Sequence, residues 1–205
     1  MGKNGINVNG LTFGYLPDRP LFAGFEIASD ARVTILKGPS GCGKTTLLKL
    51  LSGDLAVGAR AKIERPSSPY LVLQADILPR WKTPRGILAM FAPSMIDTIE
   101  SSTLFPLIAD YWDRRTAELT FGQRRAFELV CAFERRAPLL LLDEPHNFLD
   151  RARRRLFVDF LNDPEKCPGP VVLTSHFDDE ARVADAAIYE FVGNPPYARL
   201  ERRSL

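Results

Sequence analysis

A glycine-rich segment in the first quarter of the chain has the residue types and spacing of a phosphate-binding loop. Gly38-Pro39-Ser40-Gly41-Cys42-Gly43-Lys44-Thr45-Thr46, called here the phosphate loop, matches the pattern G-x-x-x-x-G-K-[ST]. The glycines allow backbone N–H groups to turn towards an anion. Lys44 would add a point charge at the β- and γ-phosphates of a nucleotide, and the Thr45 hydroxyl would bind Mg²⁺. Because the pattern arises by chance in about one chain in a hundred of this length, we predict a nucleotide site.

A pair of carboxylates follows an apolar run later in the chain. Leu139–Leu142 precede Asp143 and Glu144, and Pro145 comes next. Ligands of parallel sheets collect at the carboxyl ends of the strands. Asp143 would then hold the Mg²⁺ shell, and Glu144 would orient and polarise an attacking water. The alternative is a solvated turn with two capping acids, which the preceding leucines disfavour.

The elements that would position these residues alternate between strand and helix. Predicted strands lie at 21–27, 31–36, 70–73, 139–142 and 171–174, and predicted helices at 44–51, 122–136, 151–161 and 178–184, the last of which leads to a final segment at 187–191. Short β-prone stretches between Ile6 and Tyr15 come first. The middle, from about 75 to 117, is rich in proline and aromatic residues and predicts a small inserted helical lobe with helical fragments at 86–91 and 104–112. The pattern indicates an α/β fold whose mostly parallel sheet is covered on both faces.

Composition narrows the class of protein without naming a function. The 205 residues are 45% hydrophobic, which suffices for one large domain with a small lobe. A formal net charge of +2 argues against a chain whose main partner is nucleic acid. No apolar run reaches the roughly 18 residues of a membrane span. Three cysteines without metal-ligand spacing suit a reducing compartment, so we expect a cytosolic protein.

A further motif selects among the many nucleotide-binding families. Leu119-Thr120-Phe121-Gly122-Gln123, called here the signature segment, resembles the LSGGQ signature of ABC ATPases. Other landmarks follow in that family's order: Tyr15 resembles the aromatic residue that stacks on adenine, Gln74 the Q-loop glutamine, Asn147–Asp150 the D-loop (usually SALD), and His176 the switch histidine. The resemblance covers nearly the whole chain.

The resemblance implies both a fold and an activity. The fold would be that of a P-loop NTPase: a RecA-like core with a mostly parallel sheet, a small N-terminal antiparallel β-subdomain and an inserted α-helical lobe at about 75–117, all in one nucleotide-binding domain spanning 1–205. The chain would hydrolyse ATP with Mg²⁺ as a head-to-tail homodimer, or as a heterodimer with a related cassette. It would drive integral membrane subunits of a transporter from the inner face of the cell membrane, and no nucleic-acid partner is expected.

The same resemblance assigns roles to individual residues. Catalytic roles fall to Glu144, His176, Lys44 and Gln74, and the Mg²⁺ ligands would be Thr45, Gln74 and Asp143. Nucleotide contacts would come from Tyr15, the phosphate loop, the signature segment and Asp150. In the family, the signature segment of one subunit receives the γ-phosphate of nucleotide held by the other. Free N–H groups at a helix start and the Thr120 hydroxyl suit that role.

The chain departs from the family pattern at several positions. Phe121 replaces the first glycine of the signature, and Asn147 and Phe148 alter the D-loop. The stretch from Gly53 to Gln74 is shorter than is usual in the family, which predicts a trimmed β-hairpin subdomain. None of these changes removes a charged or catalytic group, so we expect an active ATPase.

Three functional alternatives remain open at this point. The 74–83 stretch, QADILPRWKT, and residues 176–181 resemble importers of the nitrate, sulfonate or taurine type, whereas the short length is similar to the ATPase of haem exporters. A soluble ABC ATPase acting on nucleic acid or ribosomes would usually carry paired cassettes, long coiled-coil insertions or zinc-binding cysteines. A regulatory cassette that binds ATP without turnover is disfavoured by the retained lysine, carboxylates and histidine. The transported substrate is selected by other subunits in this family.

Three more features carry expectations of their own. Cys42 lies in the phosphate loop at a helix start, where a lowered thiol pKa and ATP-protected alkylation are expected. The run 151–155, RARRR, predicts a solvated helix face rather than a phosphate or lipid site. Trp81 follows the Q-loop, where the family's membrane subunit docks a short helix. It could form an exposed apolar site there or pack within the helical lobe.

Overall fold

A small antiparallel sheet is built from the first strands of the chain. The computed structural model describes residues 5–58, 61–75, 77–167, 169–176 and 183–203. Three strands pair in the order β2-β1-β4: β1 (Ile6–Phe13), β2 (Phe22–Ser29) and β4 (Lys62–Glu64). Gly10 has a φ of 63°, and the β1–β2 register shifts between Val8 and Leu11 around it. A glycine at this bulge allows the conformation at no steric cost.

A six-stranded sheet carries the centre of the molecule. Its order is β5-β6-β7-β3-β8-β9, formed by β3 (Val33–Lys37), β5 (Pro69–Val72), β6 (Leu139–Leu142), β7 (Val171–Ser175), β8 (Ala187–Val192) and β9 (Arg199–Arg203). All neighbours pair in parallel except β8 and β9, which are antiparallel. The longer helices are α1 (Lys44–Ser52), α4 (Phe121–Glu134) and α5 (Arg151–Asn162).

Strand β6 shows why this sheet is buried on both faces. All four of its leucines are at most 5% exposed. Leu139 and Leu141 pack in a core shared with α1 and the small antiparallel sheet, whereas Leu140 and Leu142 pack in a second core shared with α4 and α5. Successive side chains of a strand point to opposite faces, so a continuous apolar run fits a sheet covered on both sides. The carboxylates that follow are therefore delivered to the edge of a rigid layer.

The middle of the chain forms a group of short helical elements. They are α2 (Pro84–Phe91), α3 (Ile96–Glu100) and four 3₁₀ turns at 93–95, 105–107, 109–111 and 116–118. The predicted helical fragment 104–112 is thus two separate turns, since Pro106 lacks the N–H that a continuous helix would need. Trp112 joins the group to α4, with its ring 6.2 Å from that of Phe127 and its indole N–H donating to Glu100 at 2.8 Å.

The predicted fold class is confirmed, with differences in detail. Strands β4 and β9 were not predicted, because each is short or rich in charge. Helix α4 begins one residue earlier than predicted and ends two residues earlier, since Arg136 takes a left-handed φ of 49°. Most of the predicted helix 178–184 falls outside the described residues. Within the described ranges, no helix has both the length and the apolar character needed to cross a membrane.

Candidate functional site

The phosphate loop connects the end of β3 to the start of α1. Gly38, Gly41 and Gly43 have φ values of 149°, 80° and 108°, a range that favours glycine. A Cβ on Gly43 would lie 2.6 Å from Cζ of Phe22, so a side chain there would collide with the core. The spacing of glycines in the motif is therefore a requirement of the backbone path between strand and helix.

Lys44 is held against the loop that precedes it. The side chain is 6% exposed, and its Nζ donates to the backbone oxygens of Gly38 at 2.8 Å and Pro39 at 3.0 Å. The ammonium thus lies inside the curve of the phosphate loop, at the positive end of α1. An incoming anion would meet a fixed cation there.

Two oxygen groups from distant parts of the sequence meet beside the loop. The Thr45 hydroxyl donates to Oδ2 of Asp143 at 2.9 Å, and the Thr174 hydroxyl donates to Oδ1 at 2.8 Å. Asp143 itself is 6% exposed at the end of β6. A hydroxyl and a carboxylate are hard oxygen donors of the kind that Mg²⁺ prefers, so this pair fits that ion.

Glu144 stands at the junction of three segments. Its Oε1 lies 2.7 Å from Nε2 of His176, and its Oε2 accepts a hydrogen bond from Nδ2 of Asn147. Its backbone N–H donates to the Thr174 hydroxyl at 2.8 Å. A φ of 46° at Glu144 is uncommon for a residue other than glycine, and such backbone strain concentrates at functional sites. The side chain is 18% exposed, so it remains partly accessible to water.

Arg125 of α4 connects the strand ends behind these carboxylates. It is 2% exposed and donates to the backbone oxygen of Leu73 and to that of Asp143, both at 2.7 Å. Glu128 lies 3.2 Å from the guanidinium. One buried fork therefore fixes the end of β5, the end of β6 and the signature helix relative to one another.

The signature segment begins α4 with a complete capping arrangement. The Thr120 hydroxyl accepts from the backbone N–H of Gln123 at 3.2 Å, and the Gln123 side chain accepts from the backbone N–H of Thr120 at 2.9 Å. Thr120 is exposed, and because its oxygen acts as the acceptor in the cap, its own proton stays available. Leu119, by contrast, is buried at 4% exposure.

The signature segment packs on the D-loop of the same chain. A Cβ on Gly122 would lie 2.1 Å from the backbone oxygen of Phe148, so only glycine fits. The rings of Phe121 and Phe148 meet edge to face with centroids 4.4 Å apart. Asp150 caps α5 by accepting from the backbone N–H of Arg153 at 2.8 Å, and this hydrogen bond lowers its pKa.

Two other predicted residues lie at the rim of the site. The Tyr15 ring is 62% exposed, contacts Phe13 edge to face at 5.2 Å, and has its hydroxyl 3.2 Å from that of Thr46. Gln74 is exposed just beyond β5. The parallel pairing of Val72 with Leu142 brings it to the same end of the sheet as Asp143.

The expected lowering of the Cys42 thiol pKa is wrong. Its side chain is 3% exposed, and this burial raises the pKa of the thiol, although the charge of Lys44 acts in the opposite direction. The loss of solvation therefore outweighs the helix start and the neighbouring cation. The sequence pattern indicated the charges near the thiol, but not that Cys42 is buried in the apolar core that also contains Phe22 and Phe191.

Alkylation should reflect this burial. At pH 8, we expect iodoacetamide to modify Cys42 at least about ten-fold more slowly in the folded chain than in urea, with or without nucleotide, because a raised pKa leaves less thiolate at any given pH. Burial also raises the pKa of Cys131 to about 12 and of Cys167 to about 11, so both should likewise be alkylated more slowly in the folded chain than in urea. Peptide mapping by mass spectrometry resolves each site; labelling of folded Cys42 at the unfolded rate would contradict the structure.

The arginine run after the D-loop is only partly a solvated face. Arg153 donates to the backbone oxygen of Leu107 at 3.3 Å, and Arg154 donates to that of Leu149 at 3.0 Å. Both side chains are half-buried, whereas Arg151 and Arg155 are exposed. Two adjacent residues of the run, Arg153 and Arg154, thus hold the helical lobe and the D-loop, a role that charge counting along the sequence does not reveal.

Four residues at the site were not singled out from sequence: Arg125, His146, Asn147 as a partner of Glu144, and Thr174. A polar residue inside the apolar run VVLTS was the visible sign for Thr174, which is fully buried. His146 is 4% exposed, with its Nε2 3.3 Å from the Ser175 hydroxyl. These residues bring the end of β7 to the loop after β6.

Comparison with known proteins agrees with this geometry. The ABC transporter family pattern matches residues 24–147. The cytochrome c biogenesis ATP-binding export protein CcmA of Rhodobacter capsulatus is 32% identical over 178 residues, which cover 85% of this chain and 82% of that protein. The thiamine import ATP-binding protein ThiQ of Photorhabdus laumondii is 29% identical over 192 residues, covering 84% and 81%.

The fold is also found among solved structures. An inward-facing structure of a metal-chelate-type ABC transporter superposes with a TM-score of 0.72, at 24% identity, over 91% of this chain and 79% of that chain. At that identity the likeness concerns the fold alone. The matched family pattern, the full-length relatives and the arrangement of the phosphate loop and carboxylates together show that the chain belongs to the ABC transporter family, as an ATP-binding and ATP-hydrolysing subunit.

Proposed function

We propose that the residues around the phosphate loop hydrolyse ATP as follows. Backbone N–H groups of the loop and the Lys44 ammonium bind the β- and γ-phosphates, with phosphate oxygens replacing the Gly38 and Pro39 carbonyls as acceptors. Tyr15 offers its exposed ring face to adenine. Glu144 orients and polarises the attacking water, and His176 stabilises the charge that develops on the γ-phosphate.

The observation that supports this proposal is how closely Glu144, His176 and Asp143 lie to one another. Glu144 and His176 are 2.7 Å apart, and the Glu144 backbone shares Thr174 with the Asp143 carboxylate. A base for water and a hydrogen-bond donor for phosphate thus adjoin a cation-binding pair. A regulatory cassette without turnover would have no need of this arrangement.

Mg²⁺ would be held by the Thr45 hydroxyl and the Asp143 carboxylate, with Gln74 at the rim. When bound, it would neutralise charge on the β- and γ-phosphate oxygens. Thr45 and Asp143 already lie within hydrogen-bond distance, and Thr174 fixes the second carboxylate oxygen. The hydroxyl and carboxylate are therefore preorganised for the ion.

The signature segment and Asp150 would act on nucleotide held by a second copy of the chain, or by a related cassette. The segment's exposed Thr120 retains a proton to donate, and the start of α4 carries positive partial charge. The segment packs on the D-loop of the same chain, so these two segments would form one surface for the other subunit. Such a dimer is isologous, with each copy giving and receiving a signature.

An apolar groove on the surface supports the proposal that the chain binds an integral membrane partner. The groove, of about 410 Å³, lies between β5, α2 and α4 and is lined by residues that include Ile77, Leu78, Ile87, Phe91 and Phe127. Ile77, Trp81 and Phe91 are 82%, 73% and 66% exposed, which favours a docking site over packing within the lobe. We propose that it receives an apolar helical segment of the membrane subunit. The chain would then be one nucleotide-binding domain, with its lobe at about 75–117, peripheral on the cytoplasmic face.

Affinity purification tests this partner. The wild-type chain, solubilised from membranes of its own source, should retain an integral membrane protein. Changing Ile77→Asp together with Phe91→Asp should weaken its capture by at least about 30-fold, the cost of losing a hot spot. Leu156→Asp, at an exposed position of α5 outside the groove, is the matched control and should bind as the parent does. Capture of ribosomes or DNA, or capture unaffected by the double change, would refute the docking site.

The direction of transport is proposed as import. The stretch 74–83 supports this, while relatives named for export and for import match over similar lengths. Transport of a radiolabelled substrate by inverted and right-side-out vesicles holding the complete transporter would distinguish the two directions, and uptake confined to the inverted vesicles would mean export.

A further inference from the structure

Three departures from the family pattern contact one another or the catalytic carboxylate. Phe121 stands where the signature usually has glycine, and Asn147 and Phe148 stand where the D-loop usually has Ser-Ala. Phe121 packs on Phe148, and the neighbouring Asn147 donates from Nδ2 to Oε2 of Glu144. A continuous path therefore runs from the signature segment to Glu144.

The first link in this path is the pair of rings. Phe148 has a left-handed φ of 67° and is 61% exposed, a costly state for an aromatic residue unless its surroundings fix it. The edge-to-face contact with Phe121 and the approach of its backbone oxygen to Gly122 supply that fixation. The position of Phe148 is thus set by the start of α4.

The second link is the short loop that carries Asn147. The backbone N–H of Asn147 donates to the backbone oxygen of Glu144 at 3.1 Å, and the backbone N–H of Leu149 donates to the backbone oxygen of His146 at 3.2 Å. Leu149 is 4% exposed, and its oxygen accepts from Arg154. With both ends anchored, the direction of the Asn147 side chain depends on the residue between them, Phe148.

The third link is the carboxylate itself. One oxygen of Glu144 contacts His176 and the other contacts Asn147, so the two partners together fix the plane of the group. A carboxylate held on one oxygen only can rotate. Activation of water requires a defined direction of the acceptor oxygen, and small misplacements are costly.

We propose that Asn147 is a positioning residue for Glu144, and that the Phe121–Phe148 contact holds Asn147 in place. The inference rests on the proposed role of Glu144 in hydrolysis. It adds a structural link, within one subunit, between the segment proposed to contact the other subunit's nucleotide and the base proposed to act on the subunit's own nucleotide.

Steady-state kinetics of two Asn147 variants separate hydrogen bonding from packing. Asn147→Leu keeps the size and removes the donor; Asn147→Ser is smaller and keeps a donor. We expect Asn147→Leu to lower kcat about ten-fold, with the KM for ATP unchanged within about two-fold. We expect the kcat of Asn147→Ser to be much closer to that of the parent. A role in packing alone would reverse the order of the two variants, and parental kcat in Asn147→Leu would overturn the proposal.

A double-mutant cycle tests the ring contact. Phe121→Gly and Phe148→Ala should each lower kcat about three-fold, and the double variant should be no slower than the slower single variant, because both remove the same contact. Neither change should slow Asn147→Leu further. Losses that multiply in the double variant would show that the two rings act independently.

Dimer formation separates failure of this inference from failure of the proposed function. Asn147→Leu combined with Glu144→Gln should still pair in the presence of MgATP, as measured by light scattering on a sizing column. Pairing together with parental kcat in Asn147→Leu would refute only the positioning role. A Glu144→Gln chain that hydrolyses ATP as fast as the parent would refute the proposed role of Glu144 and this inference with it.

Discussion

Replacing Glu144 with Gln is expected to stop ATP turnover and to leave the chain paired around bound nucleotide. Gln has the same shape, and its amide oxygen can still accept a hydrogen bond, but it cannot serve as a base for the attacking water. Loss of a general base typically lowers the rate by about 10²- to 10⁴-fold. Binding of ATP would survive, since the Lys44 contacts and the Thr45–Asp143 pair lie outside the change.

The measurement has two parts and two controls. Phosphate release measures ATP turnover. Light scattering on a sizing column measures the molar mass of the protein with MgATP, with ATP alone and with ADP, and so shows whether two chains have paired. Glu118→Gln changes an exposed acid beside Arg114, 3.9 Å away, and should leave both readings unchanged. Lys44→Ala should abolish binding, so neither turnover nor pairing should remain. A Glu144→Gln chain as fast as the parent would show that another group activates the water.

The backbone that carries the site could be predicted because its residue types allow few other conformations. Leu139–Leu142 indicated a strand buried on both faces, and the two cores on either side of β6 confirm it. The glycine spacing of the phosphate loop likewise required a turn between strand and helix, which the left-handed φ of Gly41 and Gly43 realises. Periodicity and glycine positions are local properties, so they are visible in the sequence.

The contacts between segments could not be predicted in the same way. Thr174, Asn147 and Arg125 are ordinary residues in their own stretches and acquire their roles only when β6, β7 and α4 meet. The error over the Cys42 pKa has the same origin: the charge of Lys44 is close in sequence, whereas the apolar cluster in which Cys42 is buried draws its residues from several other elements. Burial is a sum over the whole fold, and it decides the pKa of the thiol.

Arg125 shows how strongly one such contact is expected to stabilise the site. Changing Arg125→Leu should lower the free energy of unfolding by about 3–5 kcal/mol, the range for breaking a buried charged pair by removing one partner. The leucine would leave the Leu73 and Asp143 oxygens without their donor and Glu128, whose side chain is 13% exposed, without its cation. Removing Arg and Glu together would cost less, because no half-buried charge would be left behind.

Urea denaturation at equilibrium measures this effect, and Arg114→Leu provides the matched control. Arg114 is 54% exposed and lies 3.9 Å from Glu118, a pair of the kind that contributes about 0–1 kcal/mol. Arg125→Lys keeps the charge but not the planar fork, so it can satisfy only one of the two oxygens well and should fall between the other two variants. A loss for Arg125→Leu as small as that for Arg114→Leu would mean that the strand ends and the signature helix hold their positions without this residue. The link between the signature segment and the carboxylate would then depend on the D-loop and on the core shared by α4 and β6.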